Sequence, residues 1–73
     1  MSDFKTRLID EKAQLNERIE KLEAFQKTDA FQGISPIQQS LLNVQLNAMY
    51  TYAQILIERI AWTDDIPLSN TAN

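Results

Sequence analysis

The sequence predicts an all-α fold: an antiparallel two-helix hairpin that assembles into a helical homo-oligomer. Three observations predict it. Two long stretches carry helical periodicity, and a short segment holding the only Gly and preceding a Pro separates them. The second stretch is apolar around most of its circumference, more than one partner helix covers. The chain has 73 residues, 8.4 kDa and no Cys. So small a core scarcely offsets chain entropy, and without a disulfide or a structural metal the remaining staple is oligomerisation.

The first helix begins at Ser2 or Asp3, either of which can cap it, and Asp3 also suits the positive end of the helix dipole. It runs to about Gln26. At about 100° per residue Phe4, Leu8, Leu15, Ile19, Leu22 and Phe25 fall on one apolar stripe roughly 120° wide. Leu8, Leu15 and Leu22 are spaced by heptads, which suits pairing with an antiparallel helix. Asp10, Glu17 and Glu20 lie opposite, on a solvated face. Glu17 precedes Lys21 by one turn, a favourable ion pair worth ~0.3 kcal/mol.

The segment KTDAFQGIS, Lys27 to Ser35, holds Gly33 and precedes Pro36, so the chain turns there. Phe31 and Ile34 are placed to plug the end of the hairpin. The second helix has a clear start: Ser35 at the N-cap, Pro36 at the first helical position, and Gln38 three after Ser35 as a capping box. It runs to about Trp62, roughly 40 Å. Its apolar residues, from Ile37 to Trp62, occupy about two-thirds of the helical wheel and leave Ser40, Asn43, Asn47, Thr51, Gln54 and Glu58 as a polar strip. Gln39, Gln45 and Gln54 argue against a membrane span, so the uncovered surface is expected to meet other subunits. Residues 1–62 thus form one helical hairpin domain. Residues 63–73, TDDIPLSNTAN with Pro67, show no helical period and read as a mobile C-terminal tail.

Composition narrows the function. With no Cys and no His there is no thiol nucleophile, no Cys/His zinc site and no His general base. One Gly makes no phosphate-cradling loop. A net charge of -3 argues against duplex DNA. The opening MSDFKTRLID lacks an apolar signal core and no run of 18 apolar residues occurs, so the expected compartment is the cytosol, with no membrane partner. Ser2, Ser35 and Ser40 have no suitable base, and Asp64-Asp65 lies in the tail, a poor place for acid–base work or Mg²⁺. A binding or structural protein without a cofactor is expected rather than an enzyme.

Two groups of residues are candidates for binding. The second helix carries only Glu58 and Arg59 as charges, in its last turns, and Arg59 projects among Tyr52, Ile55, Leu56 and Trp62. A guanidinium on apolar surface needs a partner. That partner is either a carboxylate of the first helix such as Glu11, or a phosphate held bidentately where subunits meet. On the first helix Arg7, Gln14, Arg18 and Lys21 line one flank of the apolar stripe, with Glu11 between. The plain reading is again interhelical salt bridges; the alternative is a ligand arriving beside the core. Phe4, near Lys5 and Arg7, is either core or a platform on which a base stacks while basic groups hold phosphate.

The runs DFKTRLIDEKAQLNERIEKLEAFQ and LLNVQLNAMYTYAQILIERI, joined by a short turn, resemble a family of small phage proteins, the anti-CBASS cyclic-oligonucleotide sponges. The resemblance covers about residues 3–61. It implies antiparallel helical hairpins assembled into a compact homohexamer in the cytoplasm of the infected bacterial host. Such proteins sequester, without cleaving, the cyclic nucleotide second messengers that defence synthases make. The implied partners are cyclic dinucleotides such as 3',3'-cGAMP, bound between neighbouring protomers, and cyclic trinucleotides in separate pockets on three-fold axes. The matching dinucleotide residues are Phe4 and Arg18, with Lys21 as the other basic candidate. Where relatives carry Tyr, Phe4 has no hydroxyl to donate. Arg59, in the closing ERI, matches the arginine of the trinucleotide pocket. The net acidity does not oppose this, because a small anion needs only local positive charge. The rival reading is a small helical adaptor or structural phage protein that grips a host or phage protein through the apolar face of the second helix.

Overall fold

Side-chain oxygens and amides mark every junction in this chain. The structure, a computed structural model, describes residues 2–63. They form three helices: α1 (Ser2–Phe25), α2 (Asp29–Gly33) and α3 (Pro36–Thr63). The tail expected to be mobile lies, from Asp64 onward, outside the described residues.

Asp3 stands in the first turn of α1 and accepts from Arg7 one turn on, at 3.5 Å. The ion pair expected between Glu17 and Lys21 does not form. Both side chains are exposed, where holding two long chains together costs about as much entropy as the attraction returns. At the other end α1 tightens: the amides of Lys27 and Thr28 donate to the carbonyls of Ala24 and Phe25, at 3.1 and 3.0 Å. Thr28 then serves two helices. Its hydroxyl donates to the Phe25 carbonyl at 2.6 Å, and its oxygen accepts from the Phe31 amide at 3.2 Å, capping α2 from an extended backbone.

The helix α2 corrects the sequence expectation of a plain turn and of two helices. Five residues are too few to show a period, so only Thr28 and Asp29 at its start signal it. Gly33, read as the turning residue, ends α2 without a positive φ, and a Cβ there would meet nothing within 4 Å. The chain turns on either side of it. Phe31 does plug the end: it is buried and meets Phe25 edge-on, with centroids 5.8 Å apart and rings at 88°. Ile34 is half-buried beside it.

The start of α3 follows the sequence. The Ser35 hydroxyl accepts from the Gln38 amide at 3.3 Å, and the Ser35 carbonyl takes the first α3 bond, from Gln39. The return half of the capping box is replaced by a clamp from the next residue. The Gln39 amide nitrogen points at the carbonyls of Phe31 and Ile34, both at 3.1 Å, and of Gln32 at 3.3 Å. Its two hydrogens are shared among these carbonyls at and just beyond the end of α2. The last α3 residue, Thr63, donates its hydroxyl to the Arg59 carbonyl at 2.6 Å.

α1 and α3 pack side by side in opposite directions. Gln26 at the end of α1 donates to Asn43 near the start of α3 at 2.5 Å, Glu23 meets Tyr50, and Ile9 lies beside Ile57 and Ile60. Between them Leu8, Leu15 and Ile19 bury against Leu46 and Leu56, with Leu22, Met49, Ala53 and Ile60 around the edge. Leu46, Met49, Ala53, Leu56 and Ile60 alternate spacings of three and four, a heptad seam. Phe4, on the same predicted stripe, lies a turn beyond Leu8 and is 49 % exposed. The Cα trace spans 51 × 21 × 12 Å. No helix among the described residues is long and apolar enough to cross a membrane.

Candidate ligand-binding face

A layer of two helices has two broad faces, and charge is divided between them. Helical geometry puts Arg7, Arg18 and Lys21 of α1 on one face together with Tyr52 and Arg59 of α3. Four of the seven basic residues are there, against Asp3 and Glu11. The other face carries Lys5 and Lys12 with Glu20 and Glu23. The pairings Gln26–Asn43 and Glu23–Tyr50 set the level of the helices, so Arg59 stands beside α1 between Arg7 and Arg18, and Tyr52 close to the level of Arg18.

The side chains of this face are open. Arg7 is held only by Asp3, with both side chains more than 70 % exposed. Arg18, Lys21 and Arg59 are exposed, and among the described residues none makes an ion pair. The expected bridge from Arg59 to Glu11 is therefore absent. Arg59 is exposed to solvent on this face, which removes the need for an internal counter-charge. Its neighbours Tyr52, Ile55 and Trp62 are exposed with it.

Within one chain the expected dinucleotide residues do not meet. Phe4 and Arg18 are separated by about 21 Å of α1 at 1.5 Å per residue. Arg18 and Lys21 are one turn apart and do share the face. Tyr52 is the aromatic that the sequence reading did not single out for binding; its signal is the heptad spacing to Arg59 on the same side of α3.

Among the described residues, two hollows that indent the surface have no lining from Phe4, Arg18, Lys21 or Arg59. One, of about 360 Å³, is an open apolar groove between α1 and α3 lined by Ile9, Ala13, Ile57 and Ile60, with Lys12 and Asn16 at its rim. The other, of about 490 Å³, is shallow and bordered by Glu17 and Glu20, which repel anions. Among the described residues no three carboxylates gather to hold a metal ion. The Tyr50 hydroxyl is held above its usual range by the hydrogen bond to Glu23, then by desolvation and by the carboxylate charge.

No curated protein and no solved structure matches the chain. A family model does. It is described as Sequestin and matches residues 2–62, which takes in all three helices up to the penultimate residue of α3. The name is that of a sequestering protein and agrees with the resemblance to the cyclic-nucleotide sponges. With the match running through both long helices and the connection between them, the chain belongs to the Sequestin family.

Proposed function

We propose that this protein sequesters cyclic dinucleotide second messengers, and cyclic trinucleotides at a second site, without cleaving them. As a phage protein in the cytoplasm of the infected host it would keep CBASS effectors from being activated. The observation that carries this reading is the family match through residues 2–62. The face bearing Arg7, Arg18, Lys21 and Arg59 supports it, because exposed cations suit phosphate, and Arg18, Lys21 and Arg59 make no ion pair among the described residues.

In this reading the chain is a helical hairpin and the unit of function is a homohexamer. Arg18, with Lys21 beside it, holds phosphate of a dinucleotide such as 3',3'-cGAMP, and Phe4 of a neighbouring copy stacks on a base. The separation of Phe4 from Arg18 along α1 favours such a shared site. Arg59 serves a trinucleotide where copies meet; several arginines converging on an axis repel when empty, and a bound cyclic phosphate relieves the repulsion.

Calorimetry against a panel of cyclic di- and trinucleotides tests the reading. Tight binding is expected, with the ligand recovered intact after heat denaturation. Hydrolysed or linear product would contradict sequestration. The exposed apolar side of α3 supports the alternative, an adaptor gripping another protein. Unchanged native mass and no heat of binding across the panel would favour that adaptor.

A further inference from the structure

The seam that packs α3 on α1 has a counterpart on the far side of the same helix. Ile37, Leu41, Val44, Ala48, Ile55 and Trp62 follow the same alternation of four and three, completed by Thr51 and Glu58. All are exposed, from 65 % for Ile37 and 62 % for Trp62. A polar helix face facing water has no cause to keep a heptad register over about 38 Å. The five large apolar residues among them and Tyr52 at their edge expose on the order of 700 Å² per copy, close to what one partner of a standard interface buries.

We propose that this outer seam pairs with the same seam of a second copy, antiparallel, about a two-fold axis between Ala48 and Thr51. The inference rests on the oligomer in the function proposed above and says which surface and which direction build it. Three observations select the occupant and its direction. The outer side of α1 carries Asp10, Glu17 and Glu20 and cannot cover an apolar seam, whereas α3 itself matches the seam in length.

Side-chain sizes are also complementary about the midpoint. Ala48 faces the partner's Thr51, small against small, so the axes approach closely at the centre. Val44 then faces the partner's Ile55, and Ile37 at one end faces the partner's Trp62 at the other. Charge decides the direction. Glu58 and Arg59 are the only charges of α3, and a parallel pair would stack each on its own copy. The antiparallel pair sets Glu58 in one layer with the partner's Leu41, at the seam edge where the adjoining Ser40 offers a hydroxyl donor, and keeps the two Arg59 apart.

The pairing has one further geometric result. It leaves both basic faces on the same side of the four-helix layer, with two copies of Tyr52 flanking the axis there.

The chain has no Cys, so cross-linking reads the arrangement directly. The variant carrying both Val44→Cys and Ile55→Cys is oxidised, beside each single variant, and all are sedimented. The two positions lie about 16 Å apart along one helix, too far for an internal disulfide. The expected result is a covalent dimer from the double variant, reversed by reductant, and none from either single variant. Dimer from Val44→Cys alone would overturn the antiparallel direction. An oligomer that sediments intact but never cross-links would overturn the seam and leave the oligomer standing. A monomer in sedimentation would overturn both.

Discussion

Tyr50 of α3 donates its phenolic hydrogen bond to the Glu23 carboxylate of α1, across 27 residues of chain. With Gln26–Asn43 it pins the level of the two helices from the side chains outward, where the leucines of a heptad seam would tolerate a slip of one turn.

This bond sets an alkaline limit. The Tyr50 hydroxyl ionises in the folded chain above its unfolded value of 10.0. The folded state therefore holds the proton longer. The contribution of the bond is fully present below pH 10 and is lost as pH rises through the raised folded value. Thermal melts from pH 8 to 11 should show a fall in Tm above pH 10 that is smaller in Tyr50→Phe.

Leu56 is fully buried, at 0 % exposure. Leu56→Ala should cost about 2–5 kcal/mol, read as a lowered midpoint in urea or heat at fixed protein concentration. The same truncation at exposed Leu41 should leave the packing of α1 on α3 in place, seen as unchanged far-ultraviolet dichroism.

Gly33 has an ordinary φ and open space where a Cβ would go. Gly33→Ala should stabilise by about 0.4–1 kcal/mol, since it restricts the unfolded chain and strains nothing in the folded one. A Tm that falls would show that the glycine is needed for something other than its backbone.

The binding residues should separate by ligand. Arg18→Ala should weaken cyclic dinucleotide binding by roughly 1.5–3 kcal/mol, and Phe4→Ala by about 1–3 kcal/mol through lost stacking. Arg59→Ala should spare the dinucleotide and weaken the trinucleotide more steeply, with Arg59→Lys restoring only part, because Lys keeps charge without the planar fork. Calorimetry is to be paired with sedimentation: a variant that binds both ligand classes normally while keeping its assembly removes that residue from the site.

How much of this was legible depended on the range over which each signal acts. The stripe Leu8, Leu15, Ile19 and Leu22, the Ser35 cap and the apolar girth of α3 were readable because periodicity and capping are local. The connection was not. Thr28 and Gln39 act through hydrogen bonds to carbonyls several residues away, and Gly33 drew the turn to itself by type alone. The bridge expected from Arg59 to Glu11 was misjudged for another reason. A helical wheel shows which residues neighbour Arg59 on α3 but not that its side chain is exposed to water, where no internal counter-charge is required. Phe4 was placed on the right stripe, yet burial also needs a partner at the same level, and Leu8 is the first α1 residue to be buried.

The hollows of one chain are open at the surface and enclose nothing by themselves. In the proposed hexamer a ligand would be enclosed between copies, so ligand and assembly would be linked, each tightening the other. Apparent affinity would then rise with protein concentration, and a titration run dilute enough to separate the copies would record weak binding by a protein that binds tightly at abundance. Release would follow from dilution alone, with no chemistry performed on the ligand.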